Sequence, residues 1–262
     1  IAHSAVALQA LAEGLDVLLE KPIAATLPEA DALLLEASAT GRILQIGHLE
    51  RFNPAVTAVV PRLNGPMFFE AHRLSVFTPR ALDVDVVLDL MVHDLDVVLS
   101  FARSPVLEVR AVGLAILSPK VDIANVRLEF ASGAVANFTA SRVSTEKVRK
   151  LRFFQPHQYV SIDYARQDLL IIDVDRTIPV PGGLASGEIP TARSGLAFSK
   201  PAVETGEPLR LEILSFLNSV RTRTPPLVNA KDGRDVLALA LEINREIAIH
   251  ASRAGLQRFL NH

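Results

Sequence analysis

Lys21, Asp89 and His93 are the side chains of this sequence whose types and surroundings could do chemistry. Lys21 lies in Glu20-Lys21-Pro22, at the end of the short apolar run Asp16-Val17-Leu18-Leu19. A lysine at a strand end of a parallel α/β sheet faces the ligand crevice. Its ammonium can stabilise negative charge developing on a substrate oxygen. Asp89 and His93 stand four residues apart in the segment from Val86 to Phe101, which is apolar nearly all round and reads as a buried helix. Asp96 follows three residues after His93 on the same face. A buried carboxylate is costly unless paired, so Asp89 and His93 are expected to face a polar cleft or each other. An aspartate against a histidine would raise the imidazole pKa and fix its tautomer, as general-base catalysis uses. Asp94, about 100° further round the helix, is expected to be structural. Plainer readings stay open: a solvated lysine in a βα loop, a capping aspartate above a satisfied core histidine, or a metal pair, for which no further His/Asp cluster offers a third ligand.

A second group follows the next short strand. Gly47-His48-Leu49-Glu50-Arg51-Phe52-Asn53-Pro54 places His48, Glu50, Arg51 and Asn53 in one loop, where polar loop residues meet a substrate. Asn53-Pro54 also reads as a helix start. Arg73 and Arg80 flank Ser75-Val76-Phe77-Thr78-Pro79 and are candidate phosphate or carboxylate clamps. Lys147, Arg149, Lys150 and Arg152 crowd one strand, a pattern that usually marks a solvated face.

The elements that must position these residues come in two styles. Ser4 to Glu13 reads as a helix stopped by Gly14, Asp16 to Leu19 as a buried strand, Thr26 to Thr40 as a helix opened by Thr26-Leu27-Pro28-Glu29, and Ile43 to Ile46 as the next strand. This α-β-α-β order implies a parallel, doubly wound sheet, of which two strands are a poor whole. From Phe68 onward, long β-type runs follow one another: Phe68 to Phe77, Val106 to Leu117, Ile123 to Phe130, Val135 to Val143, Val148 to Phe154, Tyr159 to Tyr164 and Leu169 to Val174. They predict an antiparallel sheet with one covered face. Pro179 to Pro201 reads as a long loop and candidate lid, and helices over Glu204 to Arg221 and Gly233 to Ser252 close the chain. The expected fold class is α/β plus α+β: residues 1–50 as the C-terminal remnant of a Rossmann-type domain, and 51–262 as an open-faced antiparallel sheet domain with helices on one face, whose last helices could pack back on the first part.

Composition narrows the partners. A net charge of −2 supplies no basic surface for nucleic acid. No apolar run reaches the length of a membrane span. Zero cysteines exclude disulfides and thiolate metal sites and fit a reducing, cytoplasmic compartment.

The motifs together resemble the Gfo/Idh/MocA (glucose-fructose oxidoreductase, inositol dehydrogenase, rhizopine catabolism) family. The resemblance rests on His3, Gly14 and Glu20-Lys21-Pro22, on Arg51-Phe52-Asn53-Pro54, on Asp89-x-x-x-His93-Asp94-x-Asp96, and on Lys231-Asp232-Gly233-Arg234-Asp235-Val236. It implies a Rossmann domain with an open-faced sheet domain, and NAD(P)-dependent oxidation of a sugar or cyclitol hydroxyl, with NAD favoured. It implies that Lys21, Asp89 and His93 are the catalytic set, with His93 taking the hydroxyl proton, Lys21 orienting the oxygen, and Asp89 holding Lys21 or His93. It places His3, Glu20, Lys21 and Pro22 near the cofactor, His48, Arg51, Asn53, Arg73, Arg80 and Asp96 near the substrate, and no metal. Homodimers or homotetramers through the sheet are implied as well. No Gly-x-Gly-x-x-Gly occurs in the sequence. The resemblance therefore implies that the glycine fingerprint lies upstream of Ile1 and that this chain alone holds cofactor poorly and is inactive by itself.

Within the family, the runs Ile46 to Pro54, His72-Arg73-Leu74, Lys120 to Ala124, Phe154-Gln155-Pro156 and Ser161 to Tyr164 look most like UDP-N-acetylglucosamine 3-dehydrogenases, the branch serving lipid A-type amino-sugar synthesis. That resemblance implies a 3-keto sugar-nucleotide product. An inositol or other sugar dehydrogenase, a non-catalytic dinucleotide-binding sensor, and an NAD-dependent glycosidase are the competing readings.

Overall fold

The computed structural model describes residues 3–78, 84–174 and 196–256. The chain opens with α1 (His3–Ala12), β1 (Val17–Glu20), α2 (Leu27–Thr40) and β2 (Leu44–Gly47). Local chemistry sets these limits. Gly14 adopts φ 81° after α1. Thr26 caps α2 by accepting from Glu29 N–H, and Gly41 ends it at φ 62°. Glu29 reaches back to the N–H of Ala25 rather than to Thr26, so the expected capping box is only half formed. β1 and β2 pair in parallel, Val17 opposite Leu44 through Glu20 opposite Gly47.

The larger sheet has eight strands: β3 (Phe68–Val76), β4 (Val106–Leu114), β5 (Ile123–Phe130), β6 (Val135–Ser144), β7 (Val148–Gln155), β8 (Gln158–Asp163), β9 (Asp168–Val174) and β10 (Leu196–Ser199). Their order is β10-β9-β8-β7-β3-β6-β5-β4. The sheet is mixed, which corrects the expectation of an antiparallel one. β3 inserts between β6 and β7, parallel to β6 and antiparallel to β7. The brief link from Ser144 to Val148 looks like a hairpin in sequence, yet the two strands it joins flank a third. Strand-forming runs carry no record of which neighbour each will take.

Other limits moved for identifiable reasons. β4 stops at Leu114 because the Asp122 carboxylate accepts the N–H groups of Ile116, Leu117 and Ser118 at 2.7, 2.6 and 2.9 Å, bending the expected strand end into a turn. Residues 196–199 of the expected loop form β10, and residues 179–195 lie outside those described. α5 (Pro208–Thr222) starts at a proline suited to a first turn, four residues later than expected. α6 (Ala230–Arg253) starts earlier, because Asn229 and Asp232 form a reciprocal capping box.

Two cores result. The inner face of the large sheet packs on α3 (Pro54–Val59), α4 (Val92–Ala102) and α6, through Phe69, Phe138, Phe153, Leu95 and Ile243. A smaller core surrounds β1 and β2, with Leu11, Leu19, Leu33 and Ile46, and takes Val228 and Leu237 from the far end of the chain. α6 therefore ties the two together. Its first turn approaches β2 so closely that a Cβ on Gly233 would lie 2.8 Å from Ile46 Cγ1. Ile46 is fully buried and β-branched, and has little room to yield. Gly233→Ala should destabilise by about 1–3 kcal/mol from overpacking, offset by at most about 1 kcal/mol of helix propensity. Urea unfolding measures this directly; an unchanged midpoint would mean that Ile46 shifts freely.

Candidate active site

Lys21 leaves the carboxyl end of β1 and turns towards the helix that carries Asp89 and His93. The Lys21–Pro22 peptide is cis. Nζ donates to the Asp89 backbone carbonyl at 2.8 Å and stands 3.9 Å from the Asp89 carboxylate. An ammonium has three donors, so this contact orients Lys21 and leaves donors for a ligand. Burial pulls the Lys21 pKa down, against the opposing pull of Asp89 and Glu20. The Asp89 carbonyl can be reached because the chain is not regular there. Val87–Met91 is a π-helical turn running directly into α4. Such turns release carbonyls from the usual ladder and recur at functional sites.

His93 sits one residue into α4 and is half-buried. Its Nδ1 is sealed from solvent and has no hydrogen-bond partner among the described residues. Of the partners open to Asp89, its carboxylate faces Lys21. The direction expected for the imidazole pKa is corrected, since it falls rather than rises. Burial, followed by the charges of Arg73, Lys21, His48 and Arg149, holds His93 well below the ordinary histidine value. His93 is thus a neutral imidazole at physiological pH, able to accept a proton.

Beneath it lies a network that sequence spacing did not separate from the substrate candidates. Arg73 is 3% exposed. Its guanidinium donates to both oxygens of Asp94 at 2.7 and 3.0 Å and to Glu50 at 3.0 Å. It also lies 5.3 Å from the centre of the Tyr164 ring. Arg73, expected at a substrate anion, is consumed inside the protein. Asn53 is committed as well, accepting from Ala55 N–H at 3.1 Å as the cap of α3 and donating to the Tyr164 carbonyl at 3.0 Å.

Arg51 and Asp96 pair with each other at 3.3 Å, so Asp96 does not join His93. Asp96 is 1% exposed, and burial drives its pKa up to about 7 despite Arg51. This pair lines a cleft of about 680 Å³ running along α4, the start of β4 and α6. That cleft does not include Lys21 or His93 and lacks their chemistry. His48 is buried, with neither ring nitrogen partnered among the described residues; burial and the charges of Arg51 and Lys21 lower its pKa to about 4. His3 Nε2 donates to the Pro22 carbonyl at 2.7 Å, tying α1 to the Lys21 turn. Glu20 is exposed beside Gly47, where a Cβ would come within 2.9 Å of Glu20 Oε2. Arg80 lies outside the described residues. No cluster of three or more potential metal ligands occurs among the described residues, and no helix among them is long and apolar enough to cross a membrane.

Likeness to known proteins runs along nearly the whole chain. Residues 2–48 match the model of the oxidoreductase family with an NAD-binding Rossmann fold, and residues 55–155 match the GFO/IDH/MocA C-terminal domain. The chain is 36% identical over 251 residues to UDP-N-acetylglucosamine 3-dehydrogenase of Acidithiobacillus ferrooxidans, covering 95% of this chain and 76% of that protein. It is 26% identical over 157 residues to scyllo-inositol 2-dehydrogenase (NAD(+)) of Bacillus subtilis, covering 54% of this chain and 46% of the relative. A solved structure of the Acidithiobacillus enzyme superposes with a TM-score of 0.84 at 34% identity, over 94% of this chain and 75% of that one. An oxidoreductase domain protein from Kribbella flavida shares the fold at 17% identity, with a TM-score of 0.79 over 95% of this chain and 76% of its own.

Proposed function

Because the chain belongs to the GFO/IDH/MocA oxidoreductase family, we propose that it oxidises a sugar hydroxyl with a nicotinamide dinucleotide, and that the hydroxyl is at C3 of a UDP-N-acetylhexosamine. The observation that carries the chemistry is Lys21, held by Asp89, beside a neutral His93. The substrate assignment rests on likeness to UDP-N-acetylglucosamine 3-dehydrogenase along nearly the whole chain.

The residues at the carboxyl ends of β1 and β2 suit the cofactor. Glu20 offers an acceptor for a hydroxyl, Lys21 offers donors, and His48 presents unpartnered ring nitrogens, in the crevice where such sheets hold ligands. The dinucleotide, when bound, supplies the acceptor for the substrate's hydride; we favour NAD over NADP, in line with the NAD(+)-named relative. Lys21 binds the substrate oxygen and stabilises its negative charge as the proton leaves. His93 takes that proton, and its depressed pKa keeps it free to do so below neutral pH. Asp89 fixes Lys21.

The division at about residue 50 into a dinucleotide part and a substrate part belongs to the same reading, as does a cytoplasmic location. So does self-association through the outer face of the large sheet. Phe68, Phe154, Tyr159, Ile172 and Phe198 form one row there in register across five strands. Phe154 and Phe198 are 42% and 57% exposed, enough for the row to serve as a self-complementary surface.

The test is initial-rate dinucleotide reduction by the protein, with UDP-N-acetylglucosamine, free N-acetylglucosamine, glucose and inositol. A site built to bind the nucleotide portion should favour the first in kcat/KM by at least about 100-fold, the worth of roughly two charged hydrogen bonds. Equal or faster turnover of inositol would sink the substrate assignment.

A further inference from the structure

Arg149 faces inward yet makes no ion pair among the described residues. It belongs to the basic stretch around β7 that reads as a solvated face, but the strand divides that stretch in two. Lys150 and Arg152 point outward and are exposed, and Arg152 pairs with Glu70. Arg149 alternates instead with Leu151 and Phe153, both fully buried on the inner face. Its register partner on β3 is Arg73. Side chains that are opposed across an antiparallel pair stand on one face, and like charges there repel. Arg73 is compensated by Asp94 and Glu50. Arg149 is half-buried and makes no side-chain hydrogen bond or ion pair among the described residues. It is near enough to His93 for its charge to act on the imidazole.

A half-buried guanidinium facing inward is costly unless something anionic meets it. We propose that Arg149 binds the diphosphate of the substrate, in the role that sequence spacing suggests for Arg73. The proposal rests on the sugar-nucleotide reading above. Guanidinium geometry suits bidentate contact with phosphate oxygens. Placement on the inner face beside Arg73, near enough for its charge to act on His93, would bring the diphosphate and the reacting hydroxyl to one region. Burial and Arg73 both lower the Arg149 pKa, partly opposed by Glu50 and Asp94, so an arriving anion would relieve an existing strain on its charge. Arg80, the other clamp expected from sequence, lies outside the described residues.

The experiment is calorimetric titration of UDP into the wild-type protein, Arg149→Met and Arg149→Lys, with turnover of UDP-N-acetylglucosamine and free N-acetylglucosamine measured alongside. Loss of a charged hydrogen-bonded contact should weaken UDP binding by about 10- to 100-fold in Arg149→Met. Arg149→Lys, which keeps the charge near His93, should recover part of it, and the defect should appear mainly in KM for the nucleotide sugar. The lysine variant, which keeps charge and bulk, carries the test if the methionine variant does not fold: its UDP affinity should still fall below wild type. UDP binding equal to wild type in either folded variant overturns the role of Arg149 while leaving the substrate reading intact. A wild-type protein that binds no UDP overturns both.

Discussion

His93→Asn should lower kcat by about 10²- to 10⁴-fold, the usual worth of a positioned general base. Asparagine keeps a polar group of similar reach on α4 but cannot take a proton. Lys21→Met should cost a comparable factor, about 10²- to 10³-fold, because it removes a preorganised charge at the developing oxyanion. The two side chains act on one oxygen, so the double variant should lose much less than the product of the single losses. The pH profile supplies an independent check. His93 has a folded pKa depressed below its ordinary 6.5, so the base form survives as pH falls through 6.5. The acid limb of kcat/KM assigned to His93 should therefore lie below 6.5. The same depression means that the unfolded chain takes up His93's proton first. This group's contribution to stability is thus present above 6.5 and declines as pH falls towards its folded pKa. An acid limb above 6.5 that is lost in His93→Asn would show that Asp89, rather than burial and the neighbouring cations, governs the imidazole. Full turnover in either single variant would end the catalytic assignment.

Arg73→Met should destabilise the fold by about 3–5 kcal/mol, the cost of leaving a buried charge without its partner. Arg73 and Asp94 are 3% and 2% exposed and joined by two hydrogen bonds, with Glu50 accepting a third. Removing the guanidinium strands two carboxylates in the core. Removing both charges of the main pair, as in Arg73→Met with Asp94→Leu, should recover much of the loss, since an apolar pair of similar volume often does as well as a buried ion pair. Denaturant midpoints of the three variants decide this. A loss under about 1 kcal/mol in Arg73→Met, typical of exposed pairs, would mean that the network is open to water. The result also separates Arg73 from Arg149. The first should act on stability and the second on affinity, although they are register neighbours on one face.

Much of the fold was legible because its signals are local. Thr26, Gly41 and Gly14 act through their own backbone and mark helix ends wherever the chain goes. Alternation along Ile123–Phe130 reports one covered face whatever covers it. Lys21 and His93 were legible as candidates because an ionisable group on an apolar element must be served by something. The order of strands was not legible. Neither was the π-helical turn at Val87–Met91, which shows no sequence mark and yet turns the Asp89 carbonyl to Lys21.

By itself the sequence determined most of the helices and strands, though not β10 or the π-helical turn, together with which faces are apolar and which residue types could handle a proton and an oxyanion, since each follows from neighbours within a few residues along the chain. Only the tertiary structure decided the partners. It gave Asp89 to Lys21, Asp94 to Arg73 and Asp96 to Arg51, and left Arg149 facing inward with no ion pair among the described residues. Charges choose partners by distance and burial, and both are set by strand order and helix packing, in which residues 68 positions apart, such as Lys21 and Asp89, come within 2.8 Å.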